Sequence, residues 1–292
     1  MPAQVLDLPL LKTFVMVVED RSLTKVAARI GRTQPAVSLQ LRRLESLLGK
    51  RIFAANLRAL RLTQDGEKLL EYARRILALH DDAIADLTSP SLEGRVLLGC
   101  PDLYAGFLLP PILSGFRKSF PNVEVTVRCA LSSQLADEMS EEKLDLAIAT
   151  DMPGVRPTTG VKTALGKETL AWFGAAGGSA YREDPLPLAM LPEGNLYRDR
   201  AHSALRARRR DMRIACISES IAGLHAMTAA DNAVTVLSAR VSLPGVRLLG
   251  PRDGLPPLRG VDLVLWQRRP GLSDAAQRLA RHIIIVTGRD RT

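Results

Sequence analysis

The sequence predicts an α/β protein in three parts: an N-terminal winged helix-turn-helix, a long linker helix and a larger α/β region behind them. Three observations carry this reading. The net positive charge sits in one short stretch, that stretch holds two helical patterns split by a glycine turn, and beyond residue 93 apolar runs alternate with helical periods.

The charge is informative once it is located. The 292 residues include 40 Lys and Arg and 31 Asp and Glu, a formal net charge of +9. Residues 21–63 hold Arg21, Lys25, Arg29, Arg32, Arg42, Arg43, Lys50, Arg51, Arg58 and Arg61 against the single acid Glu45. Ten minus one is +9, so the rest of the chain sums to zero. A confined excess of this kind is the electrostatic footprint expected of a phosphate-binding surface.

The pattern of residues 6–63 turns that footprint into a fold. Leu8, Leu11, Phe14, Val15 and Val18 recur at helical spacing and predict a first amphipathic helix. Ser22 reads as the N-cap of a short helix, LTKVAARIG, with Ala27 and Ile30 inward and Gly31 as its stop. Thr33 caps a third helix that begins at Gln34, carries Pro35 where a missing N–H costs nothing, and ends at Gly49. Along it Val37, Leu41, Leu44 and Leu48 share one face, while Pro35, Leu39, Arg42 and Ser46 share the other, flanked by Ser38 and Arg43. A short helix, a glycine turn and a longer helix with a polar leading face predict a helix-turn-helix whose second helix enters the major groove. NLRALRLT alternates as a short hairpin does and predicts a wing carrying Arg58 and Arg61. The DNA-binding set is therefore Gln34, Pro35, Ser38, Leu39 and Arg42 toward bases or the adjacent backbone, and Thr33, Arg43, Arg58 and Arg61 toward phosphates.

This segment resembles the N-terminal signature of the LysR-type transcriptional regulators over roughly residues 6–90. Ala27, Ala28, Gln34, Ala36, Val37, Ser38, Leu44, Glu45, Leu48, Gly49, Phe53, Leu62, Thr63 and Gly66 all fall in place. At one position the chain departs from the pattern: Ala55 stands where the family usually has an arginine, so the expected wing contacts are either weaker or shifted to Arg51 and Arg58. Further on, VRLLGPRDGLPPL resembles a subgroup typified by the LrhA and PecT/HexA regulators. The resemblance implies a homodimer, with tetramers through the C-terminal domains, and two Rossmann-like lobes like those of periplasmic binding proteins, joined by two crossover strands around an effector cleft.

QDGEKLLEYARRILALHDDAIADL has no internal glycine or proline and predicts one continuous helix. Leu69, Ala73, Ile76, His80, Ala83 and Leu87 follow steps of four and three, with Leu70, Leu77 and Ile84 widening the stripe, as in the seam of a helix pair. His80 in that seam reads as a tolerated interface residue. The helix ends at the hinge SPSLEG. The expected domains are thus 6–63 for DNA binding, 64–88 for the linker and dimer helix, and 93–292 for effector binding, with lobe I about 93–162 and 267–292 and lobe II about 163–266.

In the last region RVLLGC, YAGFLLPPILSGFRKSF, VEVTVRCA, SQLADEMSEEK and LDLAIAT form a β-α-β-α-β series and predict a parallel sheet. A second series follows through LAWFG, PLPLAML, a helix near 196–209, RIACIS, a helix near 219–229, AVTVLS and VRLL. VDLVLWQ then returns to the first lobe, ahead of a final helix. Ligands of open α/β sheets lie beyond the carboxyl ends of the strands, where helix starts offer N–H groups. That rule selects Cys100, Asp102, Ser132, Ser133, Thr150, Asn195, Ser218 and Ser220 as effector-binding residues. The seven arginines from Arg198 to Arg213 point all round their helix and read as a solvated surface, at most a tetramer contact.

Other function classes fit less well. No GxSxG elbow, phosphate-binding loop, GxGxxG after a strand or HExxH occurs, and none of the four histidines sits in the context of a base. No catalytic residue, cofactor or metal is expected. A transport-type solute-binding protein would share two lobes but not a basic helix-turn-helix. Cys100, Cys129 and Cys216 are odd in number and far apart, which predicts small buried hydrophobes in a reducing compartment. No apolar run reaches the ~18 residues of a membrane span, and MPAQVLDLPLLKTF lacks the features of a signal peptide, so a cytoplasmic protein is expected. Its partners are double-stranded DNA, a small-molecule effector and copies of itself.

Overall fold

Short polar side chains and left-handed residues set the boundaries of the first helices. A computed structural model of the chain describes residues 5–54, 60–88 and 92–289. These pack as two units, Met1–Pro90 with Gly288–Thr292, and Ser91–Thr287. In the first unit, helix α1 (Leu8–Asp20) ends where Arg21 turns left-handed at φ +48°. Helix α2 (Leu23–Arg29) starts with the Ser22 hydroxyl accepting the Lys25 N–H at 3.3 Å. Helix α3 (Gln34–Leu48) starts with Thr33 accepting the Ala36 N–H at 3.4 Å and stops at Gly49, φ +62°. Leu11, Phe14, Val17, Val26, Val37, Leu41, Leu44, Ile52 and Phe53 form the core of this unit, with Phe14 and Phe53 edge to face at 5.7 Å. Burying each such side chain contributes roughly 1.5–3 kcal/mol, and together they fix the angle between α2 and α3.

Helix α4 (Gln64–Thr88) divides its apolar residues between two tasks. Leu69 and Ala73 are buried in the core of the first unit, with Leu70 and Leu77 packed against it, and Arg74 holds Glu19 of α1 at 3.1 Å. The stripe left exposed is Tyr72, Ile76, Leu79, Ala83 and Ile84. The seam expected from periodicity is therefore rotated: half of it packs at home, because a single helix pattern cannot say which neighbour covers which side. His80 is exposed, and the side chain of Leu87 lies outside the described part.

The second unit contains two sheet systems. Strands β1 (Gly94–Cys100), β2 (Val123–Cys129), β3 (Leu146–Thr150), β4 (Val161–Glu168) and β10 (Val261–Gln267) form one sheet in the order β2-β1-β3-β10-β4. Strands β1, β2 and β3 run parallel, whereas β10 is antiparallel to both β3 and β4. Helix α5 (Asp102–Ser119) follows β1, and α6 (Ser132–Ser140) packs Leu135, Ala136 and Met139 on Ala147, Ala149, Val264 and Trp266. The second system holds β5 (Leu170–Ala175) between β8 (Thr235–Ser238) and β9 (Val246–Leu249), all antiparallel neighbours. Beside it β6 (Leu186–Met190) and β7 (Met212–Ile217) run parallel, and a bridge from Leu188 to Val234 links the two pieces. Helices α7 (Leu196–Ala207), α8 (Ile221–Ala229) and α9 (Asp274–Arg289) complete the unit.

Strand β4 has no counterpart in the sequence reading. Its VKTALGKE pattern mixes lysines and a glycine on an edge whose only sheet neighbour is β10, so it lacks the continuous apolar run that marks a buried strand. The cysteines also differ from expectation. Cys100 is buried, but Cys216 is only partly so and Cys129, at the end of β2 on the sheet edge, is exposed.

Candidate functional site

The outward face of α3 is built by what α3 buries. With Val37, Leu41 and Leu44 turned into the core, Gln34, Pro35, Leu39, Arg42 and Arg43 stand exposed and Ser38 half-buried. Leu39 is 68% exposed, an apolar tip on an otherwise polar face. The Arg42 side chain has no bonding partner among the described residues, whereas Arg43 lies 3.4 Å from the Asp7 carboxylate. Thr33 is spent on the cap of α3 and is itself exposed. Arg61 is exposed beside this helix-turn-helix. Arg58 and Ala55 lie outside the described residues.

The base of the wing is locked onto α3 by residues whose role periodicity does not reveal. Glu45 Oε1 accepts the N–H groups of Ile52 at 2.9 Å and Phe53 at 3.3 Å. Phe53 and Leu62 pair antiparallel, and the Ala54 N–H reaches the Arg61 carbonyl at 2.8 Å. Thr63 Oγ1 donates to the Arg51 carbonyl at 2.7 Å and accepts the Gly66 N–H at 3.0 Å. A Cβ at Gly66 would run into the Ile52 carbonyl. Glu45, Thr63 and Gly66 thus hold the strand around Phe53 and Leu62 against α3, which gives a physical reason for those positions.

The eight residues selected from strand ends sit where the first turns of α5, α6, α7 and α8 come together. Asp102 Oδ2 accepts the Ile221 N–H at the start of α8, 2.9 Å away. The Tyr197 hydroxyl of α7 donates to the Tyr104 hydroxyl of α5 at 3.2 Å, and the latter is 2.6 Å from Thr150 Oγ1. Ser132 is buried and its Oγ accepts the Thr150 N–H at 3.1 Å. Gln134 of α6 reaches Glu219 at 3.5 Å. Asn195, Ser218 and Ser220 are local caps: Asn195 holds the Tyr197 N–H at 2.9 Å, Ser218 the Ser220 N–H at 3.2 Å, and Ser220 the Ala222 N–H at 3.1 Å. Cys100 lies buried at the end of β1, and Ser133 is exposed on α6.

Helix starts read as free N–H donors from the sequence are therefore largely capped by the chain itself. Burial raises the Tyr104 and Tyr197 phenols and the Cys100 thiol well above their ordinary values, so all three are neutral near pH 7. Tyr104, Tyr197 and Gln134 were not selected from sequence. A tyrosine in the first turn of a helix carries no signal that separates a cleft contact from core. Arg198 reads as surface from sequence but is buried, with Nη2 on Glu193 at 3.2 Å and Nη1 without a hydrogen-bond partner among the described residues. Among the described residues no group of three or more His, Cys, Asp or Glu could hold a metal ion. No described helix is long and apolar enough to cross a membrane.

Comparison with known proteins places this arrangement. Residues 8–67 match the bacterial regulatory helix-turn-helix protein, lysR family, and residues 89–285 match the LysR substrate binding domain. The chain is 36% identical over 282 residues to the HTH-type transcriptional regulator DgdR of Burkholderia cepacia, covering 96% of this chain and 94% of that one. It is 33% identical over 257 residues to the regulator PecT of Dickeya dadantii, covering 88% and 80%. In fold it is similar to CrgA, a LysR-type transcriptional regulator from Neisseria meningitidis, with a TM-score of 0.71 at 17% identity over 96% of this chain and 98% of that one.

Proposed function

The chain belongs to the LysR family of transcriptional regulators, and from that premise we propose how its own residues divide the work. It is a DNA-binding transcription regulator with the family's effector-binding domain, not an enzyme. We assign residues 6–63 to DNA binding, 64–88 to the linker and dimer helix and 93–292 to effector binding.

Gln34, Pro35, Ser38, Leu39 and Arg42 face base edges or the adjacent backbone. The observation that carries this is the exposure of that face while Val37, Leu41 and Leu44 are buried. Among the described residues Arg42 has no partner to give up before it meets a base, and an exposed Leu39 suits the thymine methyl group. Thr33, Arg43, Arg58 and Arg61 position the phosphates, which fix register without reading sequence. Arg43 must first leave Asp7, a surface pair worth little.

The protein works as a homodimer through the exposed stripe of α4, and as a tetramer through its effector-binding domains, in the cytoplasm. The effector cleft is lined by Cys100, Asp102, Ser132, Ser133, Thr150, Asn195, Ser218 and Ser220. Because Asp102 already bonds across the cleft to the Ile221 N–H, and Tyr197 to Tyr104 beside it, an effector acts by exchanging these bonds for its own, and shifts the regulator only by its differential affinity for the two states.

Selection of binding sites from a random pool of duplex DNA by the full-length chain tests the reading. Recovery of one dyad-symmetric site with half-sites a helical turn or a multiple apart supports it, and the absence of any enriched site contradicts it.

A further inference from the structure

Two sequence features are used by neither the DNA-binding face nor the cleft: the arginine-rich stretch to Arg213 and the segment VRLLGPRDGLPPL. The structure brings them together around a cavity of about 540 Å³. One wall is the turn after α7, with Arg208, Arg209 and Arg210; the loop from Pro251 to Pro257 forms another, and Arg182 a third. The turn lies at the far end of α7 from Asn195, roughly 18 Å along a twelve-residue helix, so the cavity is distinct from the cleft.

The guanidinium groups here are only partly neutralised by the protein: Arg182 acts on the Asp253 carboxylate, which Arg247 already holds at 2.8 Å. Arg210 donates to the Gly254 carbonyl at 3.0 Å and to the Tyr181 carbonyl, so among the described residues its hydrogen bonds go to neutral acceptors and not to a carboxylate. Arg182 lies over the Tyr181 ring at 5.2 Å, its Nε donating to the Tyr181 hydroxyl at 3.1 Å. The side chains of Arg208 and Arg209 bond to no described residue. Of the acids in the lining, Glu183 is held by Arg213 at 3.1 Å, leaving Asp184 and Asp211 against four arginines. Arg209 also sits at φ +52°, where glycine or asparagine is the ordinary choice. A long cation is kept in a conformation it adopts only at a cost.

We propose that this cavity binds a small phosphate-bearing molecule, as a second ligand site apart from the cleft. Guanidinium forks match phosphate oxygens two at a time, and a recess of this volume suits a small ligand. A DNA backbone instead needs a row of cations along its length, and here carboxylates interrupt them within a concave wall. Trp172 supplies a reporter, since its Nε1 donates at 2.8 Å to the carbonyl of Pro256 in the cavity lining.

Titration of the full chain with inorganic pyrophosphate, by calorimetry and tryptophan emission at constant ionic strength, tests this. Saturable binding is expected, about tenfold or more weaker in Arg208→Gln/Arg209→Gln. Arg209→Gly is expected to weaken binding too, while its thermal midpoint holds or rises because the backbone strain is relieved. No saturable binding, or equal binding by wild type and both variants, would overturn the proposal. So would loss of DNA affinity in the double variant without any pyrophosphate binding, which would assign these arginines to DNA.

Discussion

Asp102, the first residue of α5, accepts the backbone N–H of Ile221, the first residue of α8, at 2.9 Å. A carboxylate at a helix N-terminus is favoured by the exposed N–H groups and by the helix dipole. The chain thus places its own anion where a ligand's anion would otherwise go. Replacing Asp102 by Ala should speed hydrogen exchange of the Ile221 amide about tenfold, the low end for a charged acceptor because Asp102 is exposed. Asp102→Asn, which keeps an acceptor, should fall between. Unchanged exchange in Asp102→Ala would mean that the bond does not hold the two helices together.

Glu45 gives a second prediction. Its carboxylate serves two backbone N–H groups and its side chain is only 14% exposed. Glu45→Ala strands both donors and should lower the unfolding free energy of the DNA-binding unit by about 1–3 kcal/mol, whereas Glu45→Gln should lose less. Denaturant unfolding followed by the helical circular-dichroism signal reads this directly. Equal stability of Glu45→Ala and wild type would remove Glu45 from the account of the wing.

The exposed stripe of α4 predicts two different outcomes from neighbouring positions. A charge at Ile76 or Leu79, both exposed, should break the α4 pairing and at least halve the mass seen by light scattering at micromolar concentration, with the fold intact. A charge at Leu77, which packs against the core of the first unit, should instead destabilise that unit. A mass unchanged from wild type in Leu79→Glu and Ile76→Glu would place the dimer interface elsewhere.

Asp231 ties the loop before Tyr181 to the end of α8. Its carboxylate accepts the Ser179 N–H at 2.7 Å and the Ala180 N–H at 3.0 Å, and these bonds, Ser179 first, hold its pKa below the ordinary aspartate value. A depressed folded-state pKa contributes stability that is complete above the unfolded value of about 4 and is lost as pH falls through the folded one. The thermal midpoint of wild type should therefore drop more steeply below pH 4 than that of Asp231→Asn. Parallel pH profiles would contradict it.

Much of this molecule is legible in its amino-acid sequence. Ser22, Thr33 and Gly49 are local signals, since a cap or a left-handed stop depends on its immediate neighbours, and the structure uses all three as read. The buried and exposed faces of α3 followed from one period for the same reason. What periodicity does not carry is the partner of each face and the direction of each strand. It placed Leu69 and Ala73 in a dimer seam, although they pack within their own unit. It left the antiparallel pairing of β5 with β8 and β9 unread, and it missed β4. In the cleft the strand-end rule found the neighbourhood, but not that Ser218 and Ser220 are occupied as caps or that Tyr104 meets Tyr197. Arg198 shows the limit most clearly, because a charged residue in an arginine-rich helix reads as solvated unless its burial is known.

The central claim is that the exposed face of α3 reads DNA sequence, and affinity for the selected site measured across a salt series tests it most directly. Arg42→Ala should cost about 1–3 kcal/mol on that site and much less on unrelated duplex, because a base contact is lost. Arg61→Ala should weaken all sequences alike and flatten the dependence on salt by about one counterion. If Arg42→Ala binds the selected site as tightly as wild type at every salt concentration, α3 does not read the sequence through this face.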